Sequence, residues 1–211
     1  MNIKTFVFNP FMENTYVAFD QTRQAALIDC GCLYEKEESE LKKFVEENQL
    51  TITQLINTHL HLDHQFGNHF AAKTFGIEPK AHRADEHKVN QLQAQAMIFG
   101  IPKAVQAQKL GGYIEENDEI TFGNTSLKAI YVPGHSQGSL CFYCQTDGVL
   151  FSGDVLFADS IGRTDLPCGN FDQLIDGIRA KLLVLPDNTV VYSGHGKTTT
   201  IGNEKINNPF L

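Results

Sequence analysis

Residues 58 to 64 read "THLHLDH", which gathers three of the chain's eight histidines and one aspartate into a segment barely long enough to turn a corner. His59 and His61 are two apart and so point to one side of an extended backbone, whereas Asp63 and His64 begin the next element and are aimed differently. The run before the cluster, "TITQLINT" (51 to 58), has the composition of a strand. The run after it, "DHQFGNHFAAKTFG" (63 to 76), carries Phe66, Phe70 and Phe75 at helical spacing. The cluster is therefore predicted at a strand-to-helix corner, and donors that point two ways from one corner suggest two metals.

Three more donors stand at the ends of apolar strand-like runs, each beside a glycine: His135 in "YVPGHSQGS", Asp154 in "FSGDV" and His195 in "VYSGHG". Glycine there permits a tight turn that exposes one donor at a strand end, as a pocket at one edge of a sheet requires. Taken singly, Asp154 reads as a turn-former and His195 as a satisfied polar group, and His69, His82 and His87 read as surface or helix residues. Taken together, His59, His61, Asp63, His64, His135, Asp154 and His195 would be costly to bury without a cation, so a chelating site is expected.

Outward from these donors, "IKTFVFN" (3 to 9), "NTYVAFD" (14 to 20) and "QAALIDC" (24 to 30) read as a strand meander. "YEKEESELKKFVEENQ" (34 to 49) reads as an amphipathic helix with Tyr34, Leu41, Phe44 and Val45 on one side. Residues 84 to 112 look mainly helical. Strands return in "EITF", "SLKAIYV", "SLCFYC" and "VLFS" between 118 and 152, followed by a polar loop over 154 to 170. A helix follows, capped by Asn170 with Phe171, Leu174, Ile175, Ile178 and Leu182 as its buried stripe, and then a last strand, "NTVVYSG". No linker or repeat interrupts the chain. One α/β domain over residues 1 to 211 is predicted, with two packed sheets and helices outside them, a four-layer αββα sandwich.

Composition narrows the function. Residues that are 42% hydrophobic over 211 positions supply a sizeable core. Seventeen basic against 25 acidic residues, without a basic run, argue against nucleic-acid and membrane-surface partners. No stretch reaches the ~18 apolar residues of a membrane span, and the opening "MNIKTFVFNPFMENTY" alternates like a strand rather than a signal peptide. A cytoplasmic protein is expected. Five cysteines, an odd number, suit a reducing compartment. Cys30-Gly-Cys32 and Cys141-Phe-Tyr-Cys144 look like half a zinc ribbon or a redox dithiol. Neither has a second half, and Cys141 and Cys144 fall on opposite faces of a strand, so buried structural thiols are expected there.

The order His59-x-His61-x-Asp63-His64, then His135, Asp154 and His195 at strand ends, resembles the metallo-β-lactamase superfamily over most of the chain. The resemblance implies an αββα sandwich. It also implies one metal on His59, His61 and His135, a second on Asp63, His64 and His195, and Asp154 bridging them, which makes Asp63 and Asp154 the catalytic carboxylates. Asp29 in "LIDCG" matches the family's first motif, a carboxylate that orients a ligand histidine; a simple turn aspartate is the alternative.

Within the superfamily, Asp154 and the missing signal peptide oppose a class B β-lactamase. Position 61 lacks the glutamate of flavodiiron proteins, and the acidic chain lacks the basic arms of RNA-processing members. The stretches "SGDVLFADSIGRTDLPCGN" (152 to 170) and "SGHGKTTTIGNEKINNPFL" (193 to 211) are similar to the glyoxalase II-like group, in particular its short bacterial hydroxyacylglutathione hydrolase type. The helical C-terminal substrate extension of the longer enzymes is not expected here. The resemblance implies hydrolysis of a glutathione thioester of the S-lactoylglutathione type by a metal-bridging hydroxide. The cofactors implied are two divalent ions, zinc, with iron or manganese as alternatives. A persulfide dioxygenase with a single non-haem iron is the competing reading. Arg163 and Asp165 of "GRTD" read either as an anchor for an anionic substrate or as a local pair that fixes the loop. Lys197 reads as a second cationic candidate or a solvated lysine, and Phe11 and Met12 of "NPFMEN" as apolar cover or core packing.

Overall fold

A computed structural model of the chain describes residues 1 to 101 and 105 to 211. Strands β1 (Asn2–Phe8), β2 (Glu13–Phe19) and β3 (Gln24–Ile28) form an antiparallel meander. Helix α1 (Glu35–Glu47) then crosses over to β4 (Thr51–Ile56), which pairs parallel with β3. After helices α2 (Leu62–Gln65) and α3 (Asn68–Phe75), β5 (Lys80–Ala81) adds to the sheet. A 3-10 segment, Arg83–Gln91, leads into α4 (Leu92–Ile98), and β6 (Gly112–Tyr113) completes a six-stranded sheet in sequential order. The second sheet comprises β7 (Glu119–Phe122), β8 (Thr125–Tyr131), β9 (Leu140–Cys144) and β10 (Val149–Gly153). A small hairpin, β11 (Leu156–Phe157) and β12 (Ser160–Ile161), helix α5 (Phe171–Gly177) and a π-helical turn, Ile178–Leu182, precede its last strands, β13 (Val190–Ser193) and β14 (Thr199–Thr200), and helix α6 (Ile201–Asn207) closes the chain. The order in this sheet is β14-β13-β10-β9-β8-β7.

The period-2 pattern of the strands sorts their side chains into layers. Tyr16, Ala18, Ala26 and Ile28 of the first sheet meet Leu140, Phe142, Cys144 and Phe151 of the second in a core between the sheets. The alternate residues face outward: Val17, Ala25 and Leu27 pack under α1 and α3 with Leu41, Val45 and Ala71. Cys141, Leu150 and Val191 pack under α5 with Leu174, Ile178 and Leu182. Both faces of each sheet are covered, so the four-layer αββα sandwich stands as predicted. Truncating a fully buried inter-sheet ring such as Phe142 to alanine costs about 3–5 kcal/mol. Among the described residues no helix is long and apolar enough to cross a membrane.

Several expectations are corrected. The helix predicted through 63 to 76 is split at Gly67, whose N–H donates to the Cys30 carbonyl at 2.8 Å; any Cβ at this position would strike the sulfurs of Cys32 and Cys30. Those two thiols, 3.6 Å apart and buried, are packing groups at this break. Helix over 84 to 112 ends at Ile98, because Gly100 takes a left-handed φ of 70° and closes the helix end. The remainder as far as β6 is non-helical among the described residues, and 102 to 104 lie outside them. Phe171 is exposed rather than buried, since it stands at the first position of α5 before that helix meets the sheet, and Tyr34, ahead of α1, is exposed as well. The polar loop over 154 to 170 holds the β11–β12 hairpin, and β14 and α6 were not anticipated.

Candidate metal centre

Strand β4 ends at Ile56, and the corner that follows is tied from several sides. Asn57 Nδ2 donates to the His64 carbonyl (2.7 Å) and Gln65 Nε2 to the Leu60 carbonyl (2.6 Å). The N–H of Leu140, at the start of β9, donates to the Thr58 carbonyl (2.8 Å), which brings the second sheet onto the corner. Asp154 follows β10 through Gly153, at φ 50°, and a Cβ at Gly194 would collide with Asp154 Oδ1 and His64 Cε1. Only glycine lets the three strand ends approach so closely.

All seven predicted donors converge. His59 Nε2 lies 3.0 Å from His61 Nδ1 and 3.3 Å from His135 Nε2. His64 Nε2 lies 3.7 Å from Asp63 Oδ2 and 3.5 Å from Asp154 Oδ1, and His195 Nε2 lies 3.2 Å from Asp63 Oδ2 and 3.6 Å from Asp154 Oδ2. His135 Nε2 is 3.6 Å from Asp154 Oδ2, so this carboxylate touches both halves. Ligands about 2.05 Å from a tetrahedral zinc stand about 3.3 Å from each other, which is the spacing found. His64 Nε2 and Asp154 Oδ1 are buried without a hydrogen-bond partner, a costly arrangement that a cation between them resolves. The triads His59/His61/His135 and Asp63/His64/His195 could each hold an ion, their donor atoms lying within 4.8 Å of one another. The donor set therefore fits the metals expected of it.

The second nitrogens of the histidines explain why the first ones face inward. His64 Nδ1 is 3.1 Å from Asp29 Oδ2; His59 Nδ1 meets Thr58 Oγ1 at 3.1 Å, and that hydroxyl donates to Asp29 Oδ2 at 2.6 Å. Asp29 also accepts from the Thr58 N–H (2.7 Å) and adopts a left-handed φ of 52°, a conformation aspartate tolerates. One carboxylate thus aims a ligand in each half. His135 Nδ1 meets the Arg163 carbonyl (2.8 Å), and His195 Nδ1 the Phe11 and Met12 carbonyls (3.1 and 3.2 Å). Such outer contacts fix both tautomer and ring direction.

The two halves differ in charge. Burial, reinforced by neighbouring imidazoles and Lys88, pushes His59 well below its ordinary value and His61 to about 3; His135 is lowered too, chiefly by burial. These three are neutral and ready to bind. Burial also acts against a charge on His64 and His195, but the carboxylates of Asp63, Asp154 and, for His64, Asp29 outweigh it and raise both. Asp63 and Asp154 stay ionised against the cost of burial because these histidines face them.

The remaining candidates sort differently. Arg163 is bound bidentately to Asp165 (2.7 Å twice) with both side chains exposed, and it also lines the site cavity, so the pair and the anchor readings both stand, while its backbone carbonyl meets His135. Lys197 is exposed, 3.9 Å from Asp159. Phe11 lines the site cavity, whereas Met12 is exposed. Sequence reasoning missed Asp85, which is fully buried. It accepts from the Leu60 N–H (3.0 Å), the Gly138 N–H (2.9 Å), Ser136 Oγ (2.6 Å) and Lys88 Nζ (2.8 Å), and so links the loops of His59, His61 and His135. It also missed Glu13, whose carboxyl burial raises well above the ordinary carboxylate value and whose Oε1 has no partner. The cavity above the donors has a volume of about 760 Å³, with Phe11, Leu62, Phe99, Phe157, Leu166 and Pro167 as an apolar wall and His61, Asp63, His135, Asp154 and His195 at its base.

A two-sheet sandwich whose strand ends gather histidines and aspartates at one edge defines a class of metal-dependent hydrolases. The chain belongs to the metallo-beta-lactamase superfamily, whose family model matches residues 8–195 and whose members use divalent metals. It is 36% identical to the hydroxyacylglutathione hydrolase GloC of Haemophilus influenzae, over 100% of this chain and 98% of that protein. Among solved structures it is similar to the BLEG-1 B3 metallo-beta-lactamase (35% identity, TM-score 0.91, 100% of this chain and 99% of that one). It is also similar to TTHA1623 in a di-iron-bound form (30% identity, TM-score 0.87, 99% and 100%).

Proposed function

We propose that the chain hydrolyses thioesters of small acids, of the S-lactoylglutathione type, with two divalent ions held by His59, His61 and His135 and by Asp63, His64 and His195, and with Asp154 between them. The observation that carries this reading is the pair of convergent triads sharing one carboxylate, with two buried donor atoms left unpartnered. Two such ions supply a water acidic enough to be deprotonated near neutral pH and a Lewis acid for the acyl oxygen. The chain's own residues do the rest. Asp29, Thr58 and the carbonyls of Arg163, Phe11 and Met12 hold the imidazoles in one orientation, so no reorganisation is needed at the moment of reaction. The apolar wall of the cavity offers a face for the apolar parts of the thioester. A thiolate leaves without acid assistance, which agrees with a site that needs no serine or cysteine nucleophile.

Likeness to the Haemophilus influenzae hydrolase supports this substrate class, and the di-iron neighbour supports iron beside zinc as an occupant. A second reading is favoured by one feature: His59, His135 and Asp154, with donor separations of 3.3 and 3.6 Å, make a two-histidine, one-carboxylate face that suits a single non-haem iron, as in a persulfide dioxygenase. Metal analysis with a thioester panel decides between them. About two ions per chain with turnover of S-lactoylglutathione is expected; one iron per chain with oxygen uptake on glutathione persulfide overturns the hydrolase reading.

A further inference from the structure

Lys88, on the 3-10 segment, is a buried cation paired with the buried carboxylate of Asp85. Its ammonium carries three N–H donors. One meets Asp85 Oδ1 at 2.8 Å, one meets Ser136 Oγ, and among the described residues no acceptor takes the third. The side chain lines the same cavity as His61, His135 and Asp154. Asp85 has its own donors without it, in the Leu60 and Gly138 N–H groups and the Ser136 hydroxyl. A buried ammonium is costly, more so beside imidazoles assembled for cations, and the Asp85 carboxylate, which Lys88 helps hold below its ordinary value, offsets only part of that cost. Among the described residues the other cations near the site stand differently: Arg163 also lines the cavity but is exposed and paired with Asp165, and Lys197 is not among the residues that line it. A cation kept at the base with one free donor suits an anion that arrives with the substrate.

We propose that Lys88 is a catalytic residue whose free N–H binds the acyl oxygen of the substrate as that oxygen becomes negative, and then binds the carboxylate of the product. This rests on the thioester hydrolase reading. The oxygen of water adds to the acyl carbon, and the carbonyl π pair moves onto the acyl oxygen, where the ammonium holds it without giving up a proton. When the carbonyl re-forms, the carbon–sulfur bond breaks and its pair leaves with sulfur. The thiolate takes one proton of the water and the other passes to solvent, so thioester and water become thiol, carboxylate and a proton. Ser136 and Asp85 position the ammonium.

The test compares the metal-loaded wild type with Lys88→Met, which keeps length and removes charge. Metal content should stay close to wild type while the thermal midpoint falls, because Asp85 loses its counter-charge, and kcat on the best thioester should fall on the order of 100-fold with KM little changed, as when one oxyanion donor is lost. By calorimetry, acetate should bind the variant about tenfold or more weakly. Unchanged kcat and unchanged acetate affinity in the folded variant overturn the proposal, and so does a loss of activity that merely follows loss of metal, which is the mark of a structural lysine. Should the loaded wild type hydrolyse no thioester, the hydrolase reading fails by itself. The acetate comparison still decides whether Lys88 binds the anion.

Discussion

The half of the centre formed by His59, His61 and His135 and the half formed by Asp63, His64 and His195 lie side by side, yet they are prepared for metal in opposite ways. The first is all imidazole, drawn below its ordinary pKa mainly by burial, and it holds no proton that a metal must displace. The second contains a carboxylate of its own and leans on Asp154 and Asp29, so His64 and His195 hold protons more tightly than free histidine. Metal entering the second half must release protons that the first half has already lost. One fold thus presents a neutral and an anionic pocket at the same sheet edge, and Asp154, in contact with both, makes them one site.

The largest effect is expected where the comparison collapses. Asp154→Ala should take metal content from about two ions per chain to fewer than one and lower kcat/KM by ~10³-fold or more, since the proposed function makes Asp154 the ligand that both ions share. Circular dichroism should show the chain still folded, because Asp154 lies beyond the end of β10 and outside the hydrophobic core. Full metal loading with retained turnover would refute the bridging role. Next come variants that separate the halves. His61→Ala should empty the first pocket and Asp63→Asn the second, each leaving about one ion and lowering kcat/KM on the order of 100-fold. Loss of both ions from either variant would show that the pockets cannot be filled independently.

Asp29→Ala probes what the halves share behind the ligands. It frees His64 and, through Thr58, His59, so metal affinity or activity should drop about 10- to 100-fold in both pockets together. Selective loss from one pocket in a metal titration would contradict the double role. The pH dependence of the metal-free protein sharpens the contrast further. Folded His61 stays neutral down to about 3, whereas the unfolded chain takes up that proton near ~6.5. The unfolded state therefore binds more protons between those values, and stability falls as pH drops through them. His64 works in reverse: its contribution is complete below ~6.5 and is lost as pH rises through its raised folded value. Thermal midpoints of chelated protein should show His61→Asn flattening the acid limb; an unchanged limb would remove His61 from its causes.

How much of this was legible in the sequence depended on whether a signal belonged to one side chain in a simple pattern. Tyr16, Ala18, Leu140 and Phe142 sort by period 2, so the two sheets and the four layers could be read directly. The donors stand in a dense cluster or beside Gly134, Gly153 and Gly194 at strand ends, and the structure brings all of them together. Asp85 and Lys88 looked like any solvated pair in a polar helical run, because nothing local announces that the segment is folded inward against Leu60 and Ser136. Carbonyl groups have no side-chain signature at all, which is why the contacts of Phe11, Met12 and Arg163 to ligand histidines were invisible. The break at Gly67 followed from a long-range approach to Cys30 and Cys32 that helical spacing cannot report.

Arg163 gives the smallest expected effect and the sharpest separation of side chain from backbone. Its guanidinium and the Asp165 carboxylate form a good bidentate pair, but both are exposed, and exposed pairs contribute only ~0–1 kcal/mol. The residue lines the cavity, but its direct contact with a donor histidine is through its carbonyl, 2.8 Å from His135 Nδ1 in the neutral half. Removing the side chain in Arg163→Ala leaves that carbonyl in place, so kcat/KM should stay within about threefold of wild type and both ions should remain bound. A tenfold or larger rise in KM at constant metal content would instead place the guanidinium on the substrate. Loss of metal from the first pocket alone would show that the ion pair is what holds the loop, and with it the carbonyl, against His135.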